Sequence, residues 1–245
     1  MANKVLTGNF SESLDGATSA RVDIDTYVGH LTVDPIAGGG AVLASGTLEY
    51  YEKQGVPART VNKGDGHATL TLKAAGTGRP WFRVPWAACG GTYQWQVHLN
   101  PAVSSDITAH SAGGNVKLNL AGMTVTRLAA DTAGGNMDVI LPDHAANLNA
   151  TARTGGGNVT VDIGSGLTGN NTVNANSGAG NVVVRIPSGI AARIHATSGA
   201  GKVMVDPLFT RTDRNTYQAA DYDRAANKVE ITVKSGAGNV SVGTK

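Results

Sequence analysis

The chain has 245 residues, 33 of them glycine, with 41% hydrophobic and 16% charged residues and a net charge of +2 from 20 basic and 18 acidic side chains. Low charge with that apolar content excludes a disordered chain. Near-neutrality excludes a phosphate-backbone binder with its basic stripe, so no nucleic-acid partner is expected, and glycine without a strict triplet excludes collagen.

The opening Met1–Phe10 lacks the apolar run of a signal peptide. No stretch of about 18 apolar residues occurs, so no integral membrane segment is expected. The compartment stays open between the cytoplasm and a cell-envelope or extracellular site reached through a removed signal or anchor.

In chain order, the first patterned stretch is Val22-x-Ile24-x-Thr26, then Val28-Gly29-His30, then Leu31-x-Val33. Alternation with β-branched residues reads as half-buried strands meeting at a glycine corner. Two more strands are expected near residues 41–51 and 67–73. An insertion at 74–92 follows, carrying Arg79, Trp81, Phe82, Arg83 and Trp86, with Trp95 just beyond it. Aromatics alternating with arginines suit a glycan, an anionic lipid surface or a protein hot spot; equally, such rings cap the open end of a repeat stack. Cys89, the single cysteine, excludes an internal disulfide framework and reads as an inert small residue beside Gly90 and Gly91.

From residue 111 one pattern returns six times, from S-A-G-G-N-V-K-L-N-L to S-G-A-G-N-V-S-V-G-T. The residues after the last corner glycine are Asn115, Asn136, Asn158, Asn181, Lys202 and Asn239, in steps of 21, 22, 23, 21 and 37. The corner glycines Gly114, Gly135, Gly157, Gly180, Gly201 and Gly238 are expected where φ is positive or a Cβ has no room. Asparagine tolerates left-handed φ and bonds nearby backbone, so a ladder of Asn115, Asn136, Asn158 and Asn181 along one edge is expected. Small Ala, Ser and Thr before each corner imply a narrow edge. Pro35, Pro101, Pro142, Pro187 and Pro207 all follow a second strand, where a missing N–H is tolerated. The 37-residue step reflects a second insertion at 208–227, expected to cover the C-terminal coil with a loop or short helix.

One coil of about 21 residues cannot bury its own apolar face, so stacked coils must share a core. The expectation is an all-β, single-domain β-solenoid over residues 1–245. The rival is a string of antiparallel hairpins, since strand, glycine turn and strand is also a hairpin pattern. Constant phase, and the lack of Asn-Gly or Asp-Gly turns at the corners, favour the solenoid.

Three features then resemble the toastrack family, which includes the C-terminal domain of LiaF-type envelope-stress proteins and adhesin-like relatives. They are the repeated S-G-A-G-N-V-x-V, the segment V-R-I-P-S-G-I-A-A-R-I, and the ending Y-x-x-x-D-Y-x-x-A with K-V-E-I-T-V-K-S-G-A-G-N-V-S-V. The N-terminal A-R-V-D-I-D-T-Y-V-G-H-L-T-V is similar to the family's opening coil. The resemblance implies a non-catalytic β-helical module that mediates protein contacts at the cell envelope, and it carries no catalytic residues.

The enzymatic alternative is a carbohydrate-active β-helix that binds or cleaves polysaccharide, which needs carboxylates clustered on one face. Asp138 and Asp162 are the pair nearest that requirement, with a solvated surface as the plainer reading. The histidines show no H-x-x-x-H spacing, although His110 and His195 both precede a corner and are candidates to align. No cofactor or metal is expected. A rigid rod with exposed edge strands points to homo-oligomerisation and to a filament, with a protein or glycan as further partners.

Overall fold

The computed structural model describes residues 4–75 and 93–245. The aromatic tip predicted at Arg79, Trp81, Phe82, Arg83 and Trp86 lies outside the described residues, as does Cys89.

The chain begins with β1 (Val5–Ser13), and a first coil follows of β2 (Ser19–Asp25) and β3 (His30–Pro35). Next come β4 (Val42–Tyr51) and β5 (Ala58–Gly64), then a second coil, β6 (His67–Lys73) and β7 (Gln94–Leu99). Regular coils continue with β8 (Ser104–Ser111) and β9 (Val116–Asn119), then β10 (Val125–Gly134) and β11 (Met137–Ile140). After β12 (His144–Ala146) come β13 (Asn149–Gly156) and β14 (Val159–Asp162). After β15 (Gly166–Thr168) come β16 (Asn170–Ala179) and β17 (Val182–Ile186). The last elements are β18 (Ala191–Ser198), β19 (Val203–Val205), β20 (Thr210–Arg211), β21 (Thr216–Gln218), β22 (Lys228–Ser235) and β23 (Val240–Thr244). No helix occurs among the described residues.

Two large open sheets face each other. The first runs β1-β4-β7-β3-β9-β11-β14-β17-β23-β19, and the second β20-β21-β18-β22-β16-β13-β10-β8-β2-β6-β5. Pairing between coils is parallel throughout, as the constant phase requires. The hairpin alternative is realised only at the ends, where β1–β4, β4–β7, β5–β6, β18–β21 and β20–β21 are antiparallel. Parallel sheets usually bury both faces. Here each sheet keeps an apolar-in, polar-out alternation because only one of its faces meets the other sheet.

The core is a set of straight apolar rows. Leu70, Val22, Ile107, Leu128, Ala150, Val173, Ile231 and Ile194 stack along the second sheet. Opposite them run Trp95, Leu31, Val116, Met137, Val159, Val182, Val240 and Val203. All of these are buried except Val203, which is half-buried at the end of its row. Trp95 therefore belongs to the core and not to the neighbouring aromatic insertion.

The order of coils in space departs from their order in sequence at both ends. The first coil lies between the second and third, because β2 pairs with both β6 and β8, and β3 with both β7 and β9. The last coil in sequence, β22–β23, lies between β16–β17 and β18–β19. The 208–227 insertion therefore covers β18 and not the C-terminal coil. It does so with β20, β21 and a turn in place of the expected loop or short helix. Arg193 on β18 fastens it, stacking 4.3 Å above the Tyr222 ring, pairing with Asp223 at 3.0 Å and donating to Gln218 at 3.0 Å. β1 and β5 likewise go beyond the strands expected from the sequence; the latter turns into β6 through Asp65 and Gly66, both at positive φ.

At each corner the next coil's backbone is so close that a side chain has no room. A Cβ on Gly157 (φ +144°) would collide with the Gly135 carbonyl, whereas one on Gly134 would meet nothing within 4 Å. Gly157→Ala is expected to cost about 3 kcal/mol or more in urea unfolding, through clash and backbone strain, and Gly134→Ala less than about 1 kcal/mol.

Candidate interaction surfaces

Three surfaces lie outside the core: the corner edge, the outer sheet faces and the two ends of the stack. The corner edge is built by two hydrogen-bonded rows. In one, each asparagine side chain accepts the backbone N–H of the residue above it. Asn115 accepts from Asn136, Asn136 from Asn158, Asn158 from Asn181 and Asn181 from Asn239, each at 2.9 Å, and Asn239 accepts from Lys202 at 3.0 Å. His30 begins the row, with its Nδ1 accepting from Asn115 at 3.0 Å. In the other row, hydroxyls donate to corner carbonyls: Thr132 to Gly114, Thr154 to Gly135, Ser177 to Gly157, Ser235 to Gly180 and Ser198 to Gly238, at 2.7–3.2 Å.

Tyr93 takes the place of a neighbouring corner beside the first coil. Its hydroxyl donates to the Thr26 carbonyl and accepts from the Val28 N–H at 3.2 Å. Burial of the ring pushes its pKa up to about 12.

The outer face of the first sheet carries Asp138 and Asp162 on neighbouring coils, one row apart. With Lys117, Ile140, Thr160 and Arg185 they line a shallow groove of about 190 Å³. Asp162 is held by Arg185 at 3.1 Å, so the two carboxylates are not a matched acid and base facing one reacting atom. On the second sheet His110 shares a row with Asp25 and Asp131, whereas His195 sits beside Thr232 in a different row. The two histidines do not align. Among the described residues no group of three metal-binding side chains converges.

The ends differ in kind from the faces. Of the five exposed large hydrophobic side chains described, Val5 (44% exposed) and Val56 (71%) lie at the β1 end, and Met204 (53%) and Leu208 (68%) at the β19 end. The β1 end holds a cavity of about 360 Å³ lined by Gly8, Phe10, Leu48, Tyr50, Val56 and Arg59. Arg59 caps it, lying 5.8 Å from the Phe10 ring and 2.9 Å from Glu12. At the β19 end Asp206 organises the backbone. It accepts from the Leu208 N–H at 3.0 Å and from the Thr244 hydroxyl at 2.5 Å, and the Thr244 hydroxyl foremost lowers its pKa.

Residues 1–162 match the family described as the N-terminal domain of toast_rack, DUF2154. The chain belongs to this toast_rack family. Among solved structures, a candidate cell adhesion protein from Clostridium sporogenes superposes with a TM-score of 0.68 at 21% identity, covering 99% of this chain and 100% of that one. The likeness shows the same all-β stacked fold. Candidate adhesins from Bacteroides fragilis and Parabacteroides distasonis, at 10% and 11% identity, cover 98% of this toast_rack chain and 98% and 97% of their own. Their TM-scores of 0.33 and 0.31 are too low to bear on its architecture. No curated protein matches the chain. No helix among the described residues is long and apolar enough to cross a membrane.

The corner row gives a graded expectation. Asn158→Leu removes the acceptor for the Asn181 N–H and is expected to cost about 1 kcal/mol in urea unfolding. Lys202→Asn, at the end of the row where no further coil needs an acceptor, should change stability by less than about 0.5 kcal/mol.

Tyr93 gives a pH expectation. Its folded pKa lies above the ordinary value of 10.0, so the folded state holds the proton more tightly. That contribution is complete below pH 10 and is lost as pH rises towards about 12. The thermal midpoint should fall more steeply over that window in the wild type than in Tyr93→Phe. The variant itself should be less stable at pH 7, because the Val28 N–H loses its acceptor.

Proposed function

We propose that this chain is a non-catalytic, adhesin-like interaction module, a single cooperative domain over residues 1–245 that serves as a cell-envelope scaffold and assembles with copies of itself. One observation carries the reading: among the described residues, four of the five exposed large hydrophobic side chains gather at the two ends of the stack, and Ile140 alone lies on a long face. An apolar surface left in water at both ends of a monomer marks a contact site. Membership of toast_rack and the fold shared with a candidate cell adhesion protein support a role in contacts between molecules. Under this reading the corner glycines and asparagines serve the architecture, and the Arg79–Trp86 segment is a second place for a protein or glycan partner.

The stack is well suited to bearing load along its axis, since neighbouring coils share backbone, asparagine and hydroxyl hydrogen bonds in register. A carbohydrate-active role has less support, because Asp162 is committed to Arg185 in the groove that holds Asp138 and Asp162.

Absolute mass measured across a concentration series, with electron micrographs of the same samples, tests the proposal. Growth into multimers or rods is the expected result. A strict monomer at every concentration would overturn self-assembly and leave the segment around Trp81 and Trp86 as the contact site to probe.

A further inference from the structure

The ends of the stack are stepped in opposite senses, by one strand at one end and by two at the other, where the outermost strand, β20, is only two residues long. Beyond the coil formed by β6 and β7, the first sheet continues by two strands, β4 and β1, but the second by only one, β5. At the opposite end the first sheet stops at β19, while the second continues by two strands, β21 and β20. The first sheet therefore overhangs at one end and is recessed at the other.

The terminal strands are guarded differently in the two sheets. On the second sheet, β5 carries Arg59 and Lys63, and β20 is only two residues long and carries Arg211. Charges and short strands protect an edge against pairing. On the first sheet, β19 is Val-Met-Val, and β1 carries no charge from Val5 to Ser11.

The hydrogen-bond phase matches across the gap. Along the first sheet the N–H of each inward-row residue points to the next coil: Leu31 to the Asn115 carbonyl, Val116 to Asn136, Val182 to Asn239 and Val240 to Lys202. Val203 occupies the same row, so its N–H points beyond the stack. On β1 the Lys4 carbonyl accepts from Glu52 of the β4 side. Alternation along an antiparallel pair then turns the backbone groups of Thr7 and Asn9 to the open side. Strand sense also agrees. β1 is antiparallel to β4, and β4 to β7, so β1 runs in the same direction as β19.

We infer that β19 of one copy pairs in parallel with β1 of a second copy, with Val203 beside Gly8, Met204 beside Asn9 and Val205 beside Phe10. This rests on the reading that the chain self-assembles, and it names the interface. The register keeps both inward rows inward. The Val203 N–H donates to the Thr7 carbonyl, the Asn9 N–H to the Val203 carbonyl and the Val205 N–H to the Asn9 carbonyl. The exposed Leu208 side chain fills the cavity between Phe10 and Val56. Because the two surfaces are different, the contact is heterologous and open-ended, which gives a linear array and not a closed dimer. Ten strands in one sheet, and eleven in the other with the last of two residues, advance the two sheets nearly equally, by roughly 50 Å per copy at about 4.8 Å per strand.

Paired edge-blocking variants test this. Val205→Pro and Asn9→Pro each remove an N–H that faces the open side, which an edge strand tolerates. Matched circular dichroism and thermal unfolding should show that both still fold. Each variant alone is expected to be monomeric at concentrations where the wild type assembles. An equimolar mixture should stop at a one-to-one heterodimer, since each partner brings one intact end. Leu208→Asp, at a position 68% exposed, should leave the fold intact by the same two measurements and weaken wild-type assembly by at least about tenfold. Wild-type rods should show an axial repeat of roughly 50 Å. If the wild type assembles and both proline variants assemble equally well, this interface is wrong while self-assembly stands. If the wild type never assembles, the underlying reading fails as well.

Discussion

At every corner of the stack the carbonyl oxygen of one coil stands where a Cβ on the next coil would have to be. Gly114 meets Gly29 in this way, Gly135 meets Gly114, Gly157 meets Gly135, and the series continues through Gly180, Gly238 and Gly201. This close approach holds successive coils in one register. Once corners lie directly over one another, the strands leaving them pair in parallel, with valine over valine. The asparagine and hydroxyl rows are consequences of the same superposition, because a side chain of fixed length finds the same backbone group on each coil. The cost is chemical monotony: positions that meet such exacting steric demands have little freedom to carry a reactive group.

The faces follow from that frame. With the inward rows filled by aliphatic side chains and the outward rows solvated, the long sides resemble one another from coil to coil. Difference enters where repetition stops. At one end Gly8 and Phe10 leave a hollow, at the other Leu208 projects, and the two sheets end at unequal heights. Rigid repetition along the middle thus concentrates the features capable of recognition at the ends and in the segments that break the repeat.

Much of this was legible in the sequence. The coil length, the corner glycines and the parallel stacking all follow from six phased copies, since periodicity reports directly on backbone geometry, whereas Pro35, expected just after its strand, is the last residue of β3. The coil order was not read, although two residues signalled it. Lys202 breaks the asparagine series before its end in sequence, which makes sense only if its coil is last in space, and His30 substitutes as an acceptor beside the first coil. β1 is hidden because its inward row mixes Leu6, Gly8, Phe10 and Glu12 and buries Phe10 alone; β5 is hidden because an edge strand exposed on both sides needs no apolar alternation, and it buries none of its residues. The Asp65-Gly66 turn was the one local sign of it. The edge surfaces at β19 and β1 were illegible for a different reason: which strand is terminal depends on the order of coils, not on any short motif.

The placement of β23 between β17 and β19 bears on synthesis. A ribosome delivers the β18–β19 coil before the strand that must separate it from the rest of the stack. Until β22 and β23 emerge, that coil has no correct neighbour, and the rows from Leu70 to Val173 end on an unfinished layer. The β22–β23 coil fills that gap like a keystone, pairing with β16 and β18 in one sheet and with β17 and β19 in the other. A chain cut before Val240 forfeits β23, the joint between β17 and β19. Joining the β18–β19 coil to the body of the stack thus depends on strands that follow it in the sequence.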